Sequence, residues 1–308
     1  MGFLYFLESI RFPALNEAML LITRLGEETA FLVVALIVFW CADKRKGYYI
    51  LMAGFVGTIV NQFLKLVCAV PRPWVQDPNF TIVEAAREAA SGYSFPSGHS
   101  QNAVATFGGV ALTIRNRYLK AAAAAIAVLV PFSRMYLGVH TPADVLTGSL
   151  LSLGFLMALK PMVTTTKKTA MKDIIGFLLV LAVCFLLYVE LYPFPESFDV
   201  HNLTSGLKNA YTLLGCMIGL GIVYPVEKKY VNFETKAIWW AQIMKVILGL
   251  CVVLLVKEGL RAPLEAMLPV YPARAVRYFL IVLTAGLLWP MTFQWFSKLG
   301  VKNELRNH

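Results

Sequence analysis

The sequence predicts an all-α integral membrane protein, a helical bundle of about nine transmembrane helices. Composition, hydropathy and the placement of basic residues carry that expectation. Of 308 residues, 58% are hydrophobic and only 15% charged, with a mean hydropathy of +0.65. A soluble chain of this length would carry about a quarter charged residues. Nine apolar runs are long enough, or nearly so, to cross a hydrocarbon core of about 30 Å. They fall at 27–42, 47–70, 97–115, 119–138, 142–160, 173–192, 207–225, 237–256 and 278–297.

The basic residues orient these runs. One set of connections holds Lys44, Arg45, Lys46, Arg115, Arg117, Lys120, Lys160, Lys167, Lys168, Lys172, Lys228, Lys229, Lys236, Lys298, Lys302 and Arg306. The opposite set holds Arg11, Arg24, Arg72, Arg87, Lys257, Arg261, Arg274 and Arg277. Basic residues concentrate on the cytoplasmic side, so the first set is read as inside and the second as outside. The net charge of +10 is then a matter of topology and anionic headgroups, and no nucleic acid partner is expected.

The remaining segments are read in the same terms. Residues 1–26 carry apolar positions broken by Glu8, Arg11, Pro13, Asn16 and Glu17. They read as an interfacial segment rather than a secretory leader. The connection 71–96 interleaves Asp77, Glu84, Arg87 and Glu88 with Ile82, Val83, Ala85 and Ala86, and is expected to form a short amphipathic surface helix. Glu84, Arg87 and Glu88 are candidate lid residues or a solvated face. Trp74, Tyr93 and Phe95 either grip a lipid chain or anchor at the interface. The five cysteines form no C-x-x-C pair and read as small buried hydrophobes. Ala121–Ala125 reads as a close-packing helix surface.

Three clusters carry chemistry. They are Lys65 with Arg72-Pro73, then Pro96-Ser97-Gly98-His99, then Ser133-Arg134 with His140 and Asp144. All lie at the outer ends of their runs, so the topology brings them to one depth. Phosphoryl transfer needs fixed donors for charge spread over the equatorial oxygens. Lys65, Arg72 and Arg134 supply three cations, and the guanidinium fork suits phosphate oxygens. Ser97 can cap a helix whose first backbone N–H groups point at an anion, and Gly98 permits close approach. A neutral imidazole can attack phosphorus, and a second can protonate the leaving oxygen. Asp144, four residues after His140, can hold the other ring N–H. It can also close a capping box with Thr141 ahead of Pro142. No carboxylate cluster offers a magnesium site, so neither metal nor other cofactor is expected. His201 and His308 read as solvated.

These clusters spell K-x6-R-P, P-S-G-H and S-R-x5-H-x3-D. Their eleven fixed residues resemble the motif set of the type 2 phosphatidic acid phosphatase superfamily, over about residues 47–160. The resemblance implies that His140 is the nucleophile, Asp144 its partner and His99 the general acid. It also implies that Lys65, Arg72, Ser97, Gly98 and Arg134 bind phosphate, with Pro73 and Ser133 in support. The organisation expected is an interfacial segment 1–26, phosphatase core helices 27–160 and additional C-terminal transmembrane helices 161–308. Those last spans look more like the sphingosine phosphate phosphatase and glucose-6-phosphatase architectures, and serve as scaffold or as a homo-oligomer interface.

The leading expectation is thus a metal-independent lipid phosphatase of a bacterial plasma membrane, with its site on the extracytoplasmic face and a membrane lipid as substrate. Undecaprenyl diphosphate, phosphatidic acid, phosphatidylglycerol phosphate and a sphingoid phosphate all present the same terminal group. A phosphatase of a soluble ester such as glucose-6-phosphate is the second reading. A transporter or flippase is the third, and it lacks the repeated broken helices many carriers show.

Overall fold

The computed structural model describes residues 1–90, 92–164, 171–196 and 198–299, and those residues contain helices and no strand. Lys167, Lys168, Lys302, Arg306 and His308 lie outside the described residues. Sixteen α-helices follow one another. They are α1 (Gly2–Ser9), α2 (Pro13–Arg24), α3 (Glu28–Ile37), α4 (Lys44–Cys68), α5 (Pro73–Gln76), α6 (Gly98–Ala103), α7 (Gly109–Thr113) and α8 (Arg117–Tyr136). Then come α9 (Pro142–Leu159), α10 (Pro161–Thr164), α11 (Met171–Leu191), α12 (Val200–Val226), α13 (Trp239–Gly259), α14 (Arg261–Met267), α15 (Val270–Leu283) and α16 (Phe293–Lys298).

Among the described residues, seven helical stretches are long and apolar enough to cross a membrane. An eighth is α2 with the stretch Glu28–Ala42, a pair bent by 54° at the break between them. The protein is therefore a multi-pass integral membrane protein, and nine is close to this count. The difference arises at 97–115. There α6, a π turn over Val104–Gly108 and α7 form one helical path. Residues 98–113 rise about 24 Å, short of the hydrocarbon core. The path cannot lengthen, because Ser97 caps its start and Ile114 is extended ahead of the next cap, Asn116.

The chain divides into two compact units. The first comprises Met1–Val34, Tyr49–Thr165 and Pro193–Gly206. Its centre is α8, which packs against α2, α6, α7 and α9 over Ala103, Phe107, Ala111, Ala123 and Val130. Only Ala123 of the alanine run is buried, so that run does not pack along its length. A helix turns one residue in three or four toward its neighbour.

The N-terminal helices are built into this unit. Leu4 and Leu7 of α1 are buried, and Arg11 donates from Nε to Tyr136 O (2.9 Å) and from Nη1 to Thr81 O (2.8 Å). The stretch 71–96 is not the amphipathic helix expected. It holds four-residue α5 and one 3-10 turn, Glu84–Ala86. Pro71, Pro73, Pro78 and Pro96 break it. Its apolar side chains still face inward: Ala86 and Ala90 join Met19, Tyr136, Leu137 and Val139, and Val83 N donates to Leu137 O.

The second unit comprises Ala35–Tyr48, Thr166–Tyr192 and Leu207–His308. Its buried polar centre is Lys245, whose Nζ donates to Trp40 O (3.0 Å) and Thr235 O (3.1 Å) over the Phe293 ring. Glu227, also buried, pairs with Lys44 at 2.8 Å. The connection between the expected runs 237–256 and 278–297 is mostly helical, so the last span begins at Val270 rather than 278. Cys68, Cys184 and Cys251 are exposed, Cys41 is half-buried and Cys216 alone is buried. Most of the cysteines are thus not core residues. In an apolar solvent a thiol can face outward at little cost, as any hydrophobe does.

Candidate active site

The site is built on the ends of α4, α6, α8 and α9. Lys65 lies in the last turn of α4, and its Nζ donates to the Tyr93 carbonyl. The chain leaves the helix through Ala69, whose φ of 46° turns it sharply, and places Arg72 ahead of α5. Pro73 opens that helix and is buried. Arg72 is only 6% exposed. Its Nε donates to Gly92 O (2.9 Å), and its Nη1 lies 3.0 Å from Val139 O and 2.9 Å from His140 Nε2. The Arg72 and Arg87 guanidinium groups both lie over the Trp74 ring, 5.9 and 5.2 Å from its centroid. Arg87 itself makes a forked pair with Glu84 on the surface.

His140 occupies the short connection between α8 and α9 and is buried. Its two ring nitrogens meet different chemistry. Nε2 faces the Arg72 donor, so Nε2 is the acceptor and Nδ1 carries the hydrogen. Nδ1 lies 3.4 Å from Asp144 Oδ2 and 3.5 Å from Ser94 Oγ. The same Oδ2 accepts from Ser94 Oγ at 2.6 Å and from Thr141 N at 2.7 Å. Asp144 N returns a bond to Thr141 Oγ1, completing the expected capping box. Burial first, then the charges of Arg72, Arg134, Lys65 and His99, hold the His140 imidazole well below the usual histidine range. Both effects favour the neutral imidazole.

Ser97 caps the 98–113 path, its Oγ accepting from Ser100 N (3.4 Å) and Ser100 Oγ (2.9 Å). Its own N–H donates to Asp144 O at 3.0 Å, which ties α6 to α9. The two approach so closely that a Cβ on Gly148 would lie 2.5 Å from Ser97 O. A Cβ on Gly98 would meet only Asn61 Oδ1, at 3.7 Å. Asn61 is one turn before Lys65 on α4, and its Nδ2 donates to Pro96 O at 3.3 Å.

Arg134 is fully buried. Its Nη1 donates to Thr23 Oγ1 at 2.9 Å, while Nε and Nη2 have no partner among the described residues. His99 Nε2 and Asn61 Oδ1 are likewise buried without partners. A buried donor left unpaired costs about 1–3 kcal/mol. The unpaired Arg134 donors, with Lys65 and Arg72 close by, suit an anion with several acceptor oxygens, whereas Asn61 Oδ1 is an acceptor and calls for a donor. Ser133 faces elsewhere: its Oγ bonds Val130 O within α8.

Sequence reasoning singled out Lys65, Arg72, His99, Arg134, His140 and Asp144, and the structure brings these six near one another. It missed Ser94, Asn61 and Thr23. Thr23 is 111 residues from its partner, and no motif marks it. Ser94 stands two residues before Pro96-Ser97-Gly98-His99, so proximity to that motif was the one available signal.

Fold and cluster together define a multi-pass helical membrane protein with buried cations gathered beside a histidine–aspartate pair. The chain belongs to the PAP2 superfamily, and it is a phosphatase of that family. The superfamily's profile matches residues 45–168. A second profile, the transmembrane extension of PAP2 superfamily phosphatases, matches residues 211–302, so the last spans are an elaboration found within this family. Phosphatidylglycerophosphatase B of Bacillus subtilis (strain 168) is 34% identical over 161 residues, covering 48% of this chain and 74% of that protein. Undecaprenyl-diphosphatase BcrC of the same organism is 34% identical over 131 residues, 41% of this chain and 64% of that protein. An undecaprenyl-diphosphatase of Sulfolobus acidocaldarius is 29% identical over 140 residues, 44% of this chain and 65% of that protein. No solved structure matches the chain.

Proposed function

We propose that this protein hydrolyses a membrane lipid phosphate or diphosphate through a phosphohistidine at His140, without a metal. The observation that carries the reading is the polarity of His140. Nδ1 is turned to Asp144 (3.4 Å) and Nε2 to the Arg72 donor (2.9 Å), so the free lone pair is at the cationic cluster.

In this reading Lys65, Arg72, Ser97, Gly98 and Arg134 hold the phosphoryl oxygens. A phosphoryl oxygen takes over the Arg72 Nη1 hydrogen that Nε2 accepts at rest. The Nε2 lone pair then attacks phosphorus as the bond to the leaving oxygen breaks, and His99 protonates that oxygen. The bound phosphate supports protonation of His99, since a nearby negative charge favours the imidazolium. His99, now neutral, takes a proton from water, and the water oxygen attacks the phosphohistidine. The P–N bond breaks and inorganic phosphate leaves. Asp144, held by Ser94 and Thr141, fixes the tautomer and steadies the positive ring. Charge neutralisation comes from the chain's own cations, which is why no metal enters.

The relatives' names supply the substrate class. They act on a phosphatidylglycerol phosphate and on undecaprenyl diphosphate, both terminal phosphates on lipids. That Lys65, Arg134 and Asp144 stand on helices long and apolar enough to cross a membrane supports a lipid here. The excess of basic residues on the opposite connections supports a site on the extracytoplasmic face of a bacterial plasma membrane.

The test is phosphate release by purified protein in detergent with EDTA. The panel is undecaprenyl diphosphate, phosphatidylglycerol phosphate, phosphatidic acid, sphingosine phosphate and glucose-6-phosphate. Turnover of at least one lipid, with little of the sugar phosphate, is the expected result. Turnover of glucose-6-phosphate alone would replace the lipid reading with a soluble-ester phosphatase.

A further inference from the structure

The second unit carries two arginines for which the chemistry above has no use. Arg274 and Arg277 lie one turn apart near the start of α15, in the span Val270–Lys298. Arg277 is about 10 Å along the helix from Val270 and only 7% exposed. Its Nε is buried with no partner among the described residues. Arg274 donates from Nε to Thr212 Oγ1 of α12 at 2.7 Å. Both guanidinium groups lie beside one ring, Tyr278, at 5.3 and 5.8 Å from its centroid. Helix α15, which bears both arginines, lies close against α12, which bears Thr212: a Cβ on Gly215 of α12 would lie 2.1 Å from Ala275 O.

Neither arginine has a carboxylate within ion-pair distance among the described residues. An acid stands nearby, since Glu190 of α11 accepts from Tyr211 OH at 3.0 Å, and Tyr211 stacks on Tyr271 of α15. It is satisfied by a phenol and leaves both guanidinium groups un-neutralised. A charge in a membrane span ordinarily has a partner, and an arginine fork fits a phosphate group. Basic pockets between transmembrane helices take lipid headgroups for this reason.

We propose that Arg274 and Arg277 form a second anion site, within the C-terminal unit, which takes a phosphate group. An anionic phospholipid headgroup and free inorganic phosphate share that chemistry. Occupancy by either locks α12 to α15 through the two guanidinium groups. The site is made of residues outside the hydrolytic cluster and does not depend on the mechanism at His140.

The experiment uses the full chain in a neutral detergent and follows its melting temperature as phosphatidylglycerol, phosphatidylcholine or sodium phosphate is added. Wild type is compared with Arg277→Met and with Arg274→Gln, the latter a half-exposed position that tolerates change. Phosphatidylglycerol is expected to raise Tm saturably and phosphatidylcholine not to. Each variant should need about tenfold or more phosphatidylglycerol for the same rise, with phosphate release unchanged. An equal shift with sodium phosphate would name free phosphate as a sufficient ligand. A phosphatidylglycerol shift of unchanged size and midpoint in Arg274→Gln, or in a folded Arg277→Met, would overturn the proposal.

Discussion

Ser94 Oγ donates to Asp144 Oδ2 at 2.6 Å, shorter than the 3.4 Å between that oxygen and His140 Nδ1. Asp144 is thus held by its neighbours before it holds the histidine. Ser94→Ala removes one charge-assisted bond, worth about 1.5–3 kcal/mol. The expected outcome is a fall in kcat of about tenfold or more with KM little changed, because Ser94 does not touch substrate. A rise in KM at unchanged kcat would mean that Ser94 acts in binding.

Arg134 has one guanidinium nitrogen on Thr23 and two without partners among the described residues. A lysine cannot reproduce that fork. Arg134→Lys is expected to lower kcat/KM by about a hundredfold, read as lost phosphate binding. It should also weaken inhibition by vanadate, a phosphate mimic, by a similar factor. Unaltered vanadate inhibition in Arg134→Lys would remove Arg134 from the phosphate contacts.

His99 is assigned the proton for the leaving oxygen, a role worth about 10²–10⁴-fold. His99→Ala should therefore depend on the leaving group. The loss on a lipid phosphate should exceed the loss on an aryl phosphate, whose leaving oxygen needs no proton. Equal losses on both would argue for a binding role instead.

Gly148 lets α9 approach Ser97, with 2.5 Å between its would-be Cβ and Ser97 O. Gly148→Val must push α9 away from the cap of the 98–113 path. Overpacking of this kind costs about 1–3 kcal/mol, and a displacement near 1 Å at a catalytic group costs about a hundredfold in rate. Melting temperature and activity should both drop. A variant with wild-type activity would show that the α6–α9 approach does not position the site.

What was legible in the sequence was which residues of the three clusters come together. Lys65, Arg72, His99, Arg134, His140 and Asp144 stand in fixed spacings near the ends of apolar runs, and alternation of the runs is what led the sequence to expect those ends together. The side-chain network joining the clusters was not legible. Thr23 meets Arg134 across 111 residues, and Asn61 meets Pro96 across 35, contacts to which no local periodicity points. Run length misled at 97–115, where polar residues and the Ser97 cap shorten the helix. The pattern at 71–96 misled because its apolar residues pack beneath an irregular, proline-broken strap. The buried Lys245 carried no signal, since a lone basic residue in an apolar run reads as a snorkelling side chain, and Arg277 was counted with the outer connections because the run was taken to start after it.

The central claim, a phosphatase whose nucleophile is His140 and whose charge is neutralised without a metal, rests most directly on one comparison. Initial rates of phosphate release from the preferred lipid, in excess EDTA, are measured for wild type and for folded His140→Ala. The account predicts full wild-type activity in EDTA and a fall of at least about 10³-fold in the variant. Activity lost to EDTA and restored by magnesium, or more than about a tenth of the wild-type rate in His140→Ala, would contradict it.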